Sequence, residues 1–144
     1  DVNNYFKEAL KDLNLTENDV PIIFSETFPE YFAKFAQCMR TTDILWTKPS
    51  ELSFYAGLGI PIVMCPPLGS QEVYNKKWLL EIQAGITQED PKYTNQWLLD
   101  LHRYGRFAEA AWDGFLKARK FGTYKIEEII KTGTFLRETN PLRR

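Results

Sequence analysis

The sequence contains few of the side chains that metal sites and nucleophilic enzymes use most. His102 is the only histidine among 144 residues, and the two cysteines, Cys38 and Cys65, lack the close spacing of a metal-binding pair. Zinc is held mainly by clustered histidine and cysteine, and a catalytic thiol needs a basic partner beside it. We therefore expect neither a metal site nor a cysteine-based active site. Because both cysteines fall in apolar stretches, we predict two buried free thiols of a cytosolic protein.

An excess of one charge is also missing, and so is any long apolar run. Lysine and arginine number 18 against 19 aspartate and glutamate, which gives a formal net charge of −1. Proteins that bind nucleic acid or anionic membranes through bulk charge need a basic excess. No apolar run approaches the roughly 20 residues that span a bilayer, and the start has no signal-peptide pattern. The sequence thus predicts a cytoplasmic protein with no nucleic-acid partner and no transmembrane segment.

Three short apolar runs predict β-strands. They cover residues 20–24, 43–47 and 60–65. Each is continuously apolar, without the alternation that marks a strand with one face in water. Continuous hydrophobicity is typical of parallel strands covered on both faces. Pro21 and Pro61 stand near the starts of two runs, where a strand tolerates a missing N–H.

A helix is predicted directly after the first run. Thr27 and Glu30 have the spacing of a capping box, and Pro29 fits the first turn. The apolar side chains that follow recur at helical spacing, and we expect them to pack against the sheet. They are Phe28, Phe32, Phe35 and Met39.

Further helices are predicted between the strands, and the last third of the chain is predicted to be entirely helical. Residues 50–58 and 71–84 have helical spacing, and Gly85 stands where a glycine typically ends a helix. In the last third of the chain the apolar spacing predicts three more helices, broken at Gly105 and at residues 121–123.

The order of elements predicts an α/β fold in which a three-layer parallel sheet precedes an all-helical C-terminal segment. We assign residues 1–90 to the sheet domain. Residues 91–144 are assigned to C-terminal helices that pack on it.

The best candidate for a ligand site is the pair of loops that follow the second and third predicted strands. In an open parallel sheet, ligands bind beyond the carboxyl ends of the strands. Ser50 and Ser70 are placed to cap the helices that follow these loops. A helix N-terminus offers unpaired N–H groups and partial positive charge to a phosphate or a sugar hydroxyl. Lys48 adds a cation to the first loop.

Each of these residues also has an ordinary structural interpretation. Ser50 and Ser70 can be simple helix caps, and Glu51 and Glu72 can complement the positive helix ends. Residues 66–67, both proline, can be a stiff exit from a strand. What favours a ligand site is that both loops follow neighbouring strands of one predicted sheet.

Three segments, residues 42–50, 56–64 and 69–75, together resemble the C-terminal, donor-nucleotide domain of glycosyltransferases with the GT-B fold. They contain a strand led by Asp43, a Gly-x-Pro turn at Gly59, and a loop with glutamine and asparagine at the start of the next helix. The group they resemble contains the peptidoglycan GlcNAc transferase, the diacylglycerol sugar transferases and the UDP-GlcNAc 2-epimerases. This resemblance implies a Rossmann-like domain that binds a nucleotide-diphosphate sugar, such as a UDP-sugar, with no cofactor and no metal.

The resemblance also implies which residues form the site. The loop that faces the nucleotide contains Lys48, Pro49 and Ser50, and Glu51 follows it in the same nucleotide-sugar site. The sugar hydroxyls are contacted at Gly69, Ser70, Gln71 and Glu72, and Asn75 matches the family's asparagine one helical turn further on. Phe54 stands where family members carry the glutamate that holds the ribose hydroxyls, and Glu51 is the nearest carboxylate. Lys48 and backbone dipoles would stabilise the departing diphosphate.

The resemblance covers roughly residues 20–86, and it implies a missing N-terminal Rossmann-like half as the partner that supplies the catalytic base. Since the chain starts at Asp1 without methionine, we expect a piece of a longer protein that is inactive by itself. The competing hypothesis is a non-catalytic interaction domain that keeps the fold. Its surface would be the C-terminal helices, whose aromatic residues either form that surface, pack on the sheet or pack against the missing N-terminal domain. They are Trp97, Tyr104, Phe107, Trp112 and Phe115.

Overall fold

The structure, a computed structural model, describes residues 2–16, 18–50, 52–135, 137 and 139–140. It divides into two compact units, Asp1–Thr41 and Thr42–Arg144. The first unit contains two helices, α1 (Val2–Asp12) and α2 (Phe28–Met39). The second unit contains all the remaining elements.

The strand predicted at residues 20–24 is not formed. These residues form no regular secondary structure and pair with no strand in the described part of the chain, and Val20, Ile23 and Phe24 are exposed. A short apolar run cannot by itself provide the neighbouring strand that a ladder needs. Pro21 also lacks the N–H that pairing would use.

Helix α2 forms where it was predicted, with Pro29 in its first turn, but the capping box is wrong. Thr27 is the residue before the helix, and its side chain makes no capping hydrogen bond with any described residue. Its carbonyl instead accepts from Tyr31 N–H at 2.9 Å. The Glu30 carboxylate forms an ion pair with Lys34, one turn further along the helix, at 2.7 Å. It therefore binds a side chain within the helix and not the backbone N–H of Thr27, as a capping box would require.

The predicted burial of the α2 apolar stripe is also wrong. None of the described residues of this helix is buried, and Phe28 is 79% exposed. The rings contact one another along the helix, with Phe28 and Phe32 centroids 6.5 Å apart and Tyr31 and Phe35 centroids 5.8 Å apart. Helical spacing correctly gave the side chains one face, but it does not provide a surface for that face to cover.

The second unit is built on a parallel sheet. Its strands are β1 (Leu45–Thr47), β2 (Ile62–Met64) and β3 (Gly85–Thr87), in that order across the sheet, and both neighbouring pairs are parallel. Helices α3 (Leu52–Gly57) and α4 (Ser70–Glu81) connect them. The predicted α/β class and parallel strands are therefore confirmed.

The sheet has a core on each face. Ile62 and Met64 pack with Leu52 and Leu79 from the connecting helices, whereas Val63, one residue out of phase, packs with aromatic side chains of the last third of the chain. All three residues of β2 are fully buried. Successive side chains of a strand point to opposite faces, so this burial requires cover on both sides. The continuous hydrophobicity of the sequence is explained by this arrangement.

Strand β3 was not predicted from the sequence, and the prediction that Gly85 ends a helix is wrong. Helix α4 ends at Glu81, and the left-handed residue that follows it is Gln83, with φ of 63°. Gly85 instead begins β3, where a Cβ atom would lie 2.3 Å from Cδ2 of Leu79 and 3.0 Å from Cε of Met64. Only glycine lets the α4 side chain lie this close to the strand.

Helices fill the last third of the described chain, as predicted. A short 3₁₀ helix (Pro91–Tyr93) leads into α5 (Thr94–Arg103), α6 (Arg106–Lys117) and α7 (Gly122–Thr132). Gly105 separates α5 from α6 with a left-handed φ of 71°, again as predicted. Helices α5 and α6 belong to the same compact unit as the sheet, while the domain boundary after residue 90 stays a prediction.

Two other expectations concern thiols and membranes. Within the described residues neither Cys38 nor Cys65 forms a disulfide, as predicted, but each is half-buried where full burial was expected. Across the described residues, the chain has no helix with the length and apolar character needed to cross a bilayer.

We expect Gly85→Ala to lower the free energy of unfolding by about 1–3 kcal/mol, because the added methyl must displace the buried Leu79. Gly122→Ala is the matched control, since a Cβ there meets no heavy atom within 4 Å. Urea-induced unfolding measures both variants. Equal stability of Gly85→Ala and the wild type would contradict the close packing of α4 on β3.

Candidate functional site

The two loops predicted to bind a ligand leave the same edge of the sheet. Strands β1 and β2 are parallel neighbours, with Thr47 beside Met64 at their carboxyl ends. The pairing continues one residue further, because Cys65 N–H donates to the Thr47 carbonyl at 2.9 Å. The residues after both strands therefore lie together, at the edge where parallel sheets bind ligands.

The first loop makes a tight turn around a buried proline. Pro49 is fully buried, and Ser50 N–H donates to the Lys48 carbonyl at 2.8 Å. Helix α3 is described from Leu52 onward, so the assignment of Ser50 as its cap stays a prediction. Glu51, which was assigned to the nucleotide, lies outside the described residues.

The second loop enters α4 through Gly69. This glycine is the residue before the helix, with extended φ and ψ of −138° and 168°, so Ser70 is the first helical residue and its prediction as the cap is wrong. Glu72 Oε2 accepts a hydrogen bond from Leu68 N–H at 2.7 Å. The carboxylate thus holds the loop and complements the positive end of α4, which is the ordinary structural role considered for it.

Asn75 connects the two loops. Its Nδ2 group donates to the carbonyls of Pro49 and Ser50, each at 3.0 Å, from a half-buried position on α4. These carbonyls belong to the loop after β1, whereas Asn75 belongs to the helix after β2. One side chain therefore fixes the position of the first loop relative to the helix that ends the second.

Four of the predicted side chains remain available to a ligand. Lys48, Ser50, Ser70 and Gln71 are exposed, and their side chains make no hydrogen bond or ion pair within the described part of the chain. The first backbone bond of α4 runs from Val73 N–H to the Gly69 carbonyl at 3.1 Å. The amides that precede Val73 in this turn have no partner inside the helix, and they carry the partial positive charge of its N-terminus.

A tryptophan pair beside these loops was not anticipated. The Trp46 indole donates to Gln88 Oε1 at 2.7 Å and meets Trp97 edge to face, with ring centroids 5.4 Å apart. The Trp97 indole in turn donates to the Asp90 carbonyl at 3.0 Å. Trp46 keeps 40% of its surface exposed. The pair could not be recognised from the sequence, because strand β3 was not predicted. Residue Gln88 follows β3 and lies next to β2 through its N–H, which donates to the Met64 carbonyl.

The site suits recognition of an anion with a ring attached. It offers a cation, free backbone amides, hydroxyl and amide side chains, and an indole. In the parts of the chain that the structure describes, no three His, Cys, Asp or Glu side chains cluster as metal ligands would.

The chain belongs to a family described as a domain of unknown function (DUF6938), whose model matches residues 1–129. No curated protein matches the chain, and no solved structure matches it.

We expect Asn75→Ala to lower the free energy of unfolding by about 1–3 kcal/mol, because it leaves two loop carbonyls without their donor. Asn95→Ala is the matched control, an exposed asparagine on α5. Urea-induced unfolding measures the difference. If both variants have wild-type stability, Asn75 does not connect the loops in solution.

Proposed function

We propose that the chain contributes part of the donor site of a glycosyltransferase-like protein with a GT-B-like fold, and that this site binds a nucleotide-diphosphate sugar. The observation that carries the proposal is the junction at Asn75. It joins the loop after β1 to the helix after β2, at the carboxyl edge of two parallel strands. Two loops fixed to each other at this edge are what a ligand spanning both would require.

The diphosphate would lie at the N-terminus of α4. The unpaired amides of its first turn can donate to phosphate oxygens, and the open space beside Gly69 allows close approach to the backbone. Helix N-termini stabilise an anion by about 0.3–1 kcal/mol at exposed positions. Lys48 would add a mobile cation from the neighbouring loop, so the two loops share the charge of the ligand.

The sugar and the base would be recognised by different groups. Ser70 and Gln71 have free side chains that can bind sugar hydroxyls. Glu72, which the resemblance assigned to the sugar, and Asn75 would act as positioning residues, because Glu72 Oε2 and Asn75 Nδ2 hold the loops. The exposed Trp46 ring would stack on the base, an interaction worth about 1–3 kcal/mol in nucleic-acid complexes.

The reaction to which this site would contribute is metal-independent glycosyl transfer. Negative charge develops on the diphosphate as the sugar departs, and fixed amides with a nearby cation stabilise that charge in place of a metal ion. The proposal assigns no catalytic base to this chain. The base would come from the N-terminal Rossmann-like half that the GT-B resemblance implies.

A second candidate function is that of a non-catalytic interaction domain. Phe54, at the position where the resemblance expects a ribose-binding glutamate, is 53% exposed on α3. Tyr104 and Trp112 are exposed as well, whereas Trp97 and Phe107 are buried against the sheet. The C-terminal aromatic residues therefore divide between core and surface, and those on the surface favour this candidate.

Titration with UDP, UDP-GlcNAc and UDP-glucose separates the two functions. A ligand at about 100 times its Kd adds about 2.7 kcal/mol to the stability of the folded state, which a thermal-shift assay detects. Saturation-transfer NMR reports binding too weak for that assay. Both measurements apply to the 144-residue chain and to the longest natural protein that contains it.

Lys48→Ala and Gln71→Ala should each weaken binding about tenfold, the loss expected for one charged or bidentate contact. Lys77→Ala on the exposed side of α4 and Gln96→Ala on α5 are the matched controls, and they should leave affinity unchanged. The enzyme hypothesis fails if neither protein binds a nucleotide sugar, or if the two site variants bind as the controls do.

A further inference from the structure

A cavity of about 300 Å³ lies beside α7, at a distance in sequence from the loops just described. Its apolar wall consists of Phe121 before the helix, Ile126 and Ile129 on the helix, and Phe135 after it. None of the residues of α7 within the described chain is buried, so these side chains face water in the ligand-free protein. The volume is at the lower end of that of small-molecule sites.

A fixed chain reversal forms one side of this cavity. Gly133 ends α7 in the left-handed conformation, with φ of 66°, and its N–H donates to the Ile129 carbonyl at 2.8 Å. Thr132 Oγ1 donates to the Glu128 carbonyl at 2.8 Å and accepts from Thr134 N–H at 3.3 Å. These bonds turn the chain back, which places Phe135 at the cavity.

Three cations also line the cavity. Lys125 forms an ion pair with Glu128 at 3.1 Å. Arg119 and Arg137 have no ion-pair or hydrogen-bond partner within the described residues. Among the described residues, two guanidinium groups thus remain without a counter-charge beside an apolar wall. Guanidinium binds carboxylate and phosphate oxygens in a bidentate manner, so the cavity combines an apolar wall with an anion receptor.

We infer that this cavity binds a small amphiphile, a molecule with an apolar body and one anionic group. The apolar body would cover Ile126 and Ile129, removing their surface from water. The anionic group would bind Arg119, Arg137 or both. Charge complementarity distinguishes this occupant from a neutral apolar segment, which would leave both guanidinium groups unpaired at the edge of the contact.

Octanoate is the probe that tests this inference on the 144-residue chain. We expect saturable binding that shifts the methyl NMR signals of Ile126 and Ile129. Ile130 is the matched internal control, because it is 78% exposed on the same helix but does not line the cavity. Octanol, with the same body and no charge, should bind about tenfold more weakly, and so should inorganic phosphate, which lacks the apolar body. Octyl phosphate, which has the same apolar body and an anionic group, should bind comparably to octanoate.

The variant Arg119→Gln combined with Arg137→Gln should weaken octanoate binding about tenfold or more while leaving octanol binding unchanged. Arg103→Gln, an exposed arginine on α5, is the control and should have no effect. Neither change touches a buried side chain, so a folding defect would not explain a loss. The inference is overturned if octanoate and octanol bind equally, if octanoate shifts Ile130 as much as Ile126, or if octanoate does not bind.

Discussion

The burial of β2 on both faces is the constraint on which the second unit depends. Ile62 and Met64 point to the side of α3 and α4, and Val63 points to the side of Trp97 and Phe107. The strand can be buried in this way only if both faces of the sheet are covered, and this cover is typical of parallel sheets. The same geometry brings the carboxyl ends of β1 and β2 to one edge. The candidate site is thus a consequence of how the core is built, and Asn75 then fixes the two loops at that edge.

Much of this second unit follows from the sequence because its signals are local. Residues 43–47 and 60–65 were recognised as strands from continuous hydrophobicity, and Gly105 was recognised as a helix break. Strand β3 was missed because Gly85 has no side chain to contribute to an apolar pattern. Its glycine is required by contact with Leu79, and that contact exists only once the chain has folded. The strand predicted at residues 20–24 is the opposite error, since these residues have the apolar pattern but pair with no strand in the described part of the chain.

In the candidate site, too, some features follow from the local sequence and others depend on contacts made in the fold. Lys48 was selected from its loop position and Gln71 from the GT-B resemblance, and both side chains are exposed. Glu72 and Asn75 were selected through the same resemblance, but Glu72 Oε2 and Asn75 Nδ2 bind the backbone of the protein. A sequence shows which side chains can form hydrogen bonds, and only the fold shows with which atoms. The Trp46–Gln88 bond joins residues 42 positions apart, so no local pattern could have revealed it.

The central claim is that the α4 N-terminus and the Lys48 loop bind the same phosphate-bearing ligand. The most direct test is the amide NMR spectrum during a titration with UDP. We expect saturable shifts at Ser70 and Gln71, at Lys48, and at the Trp46 indole N–H, with one common Kd. Shifts that are absent there, or that appear only around α7, would contradict it.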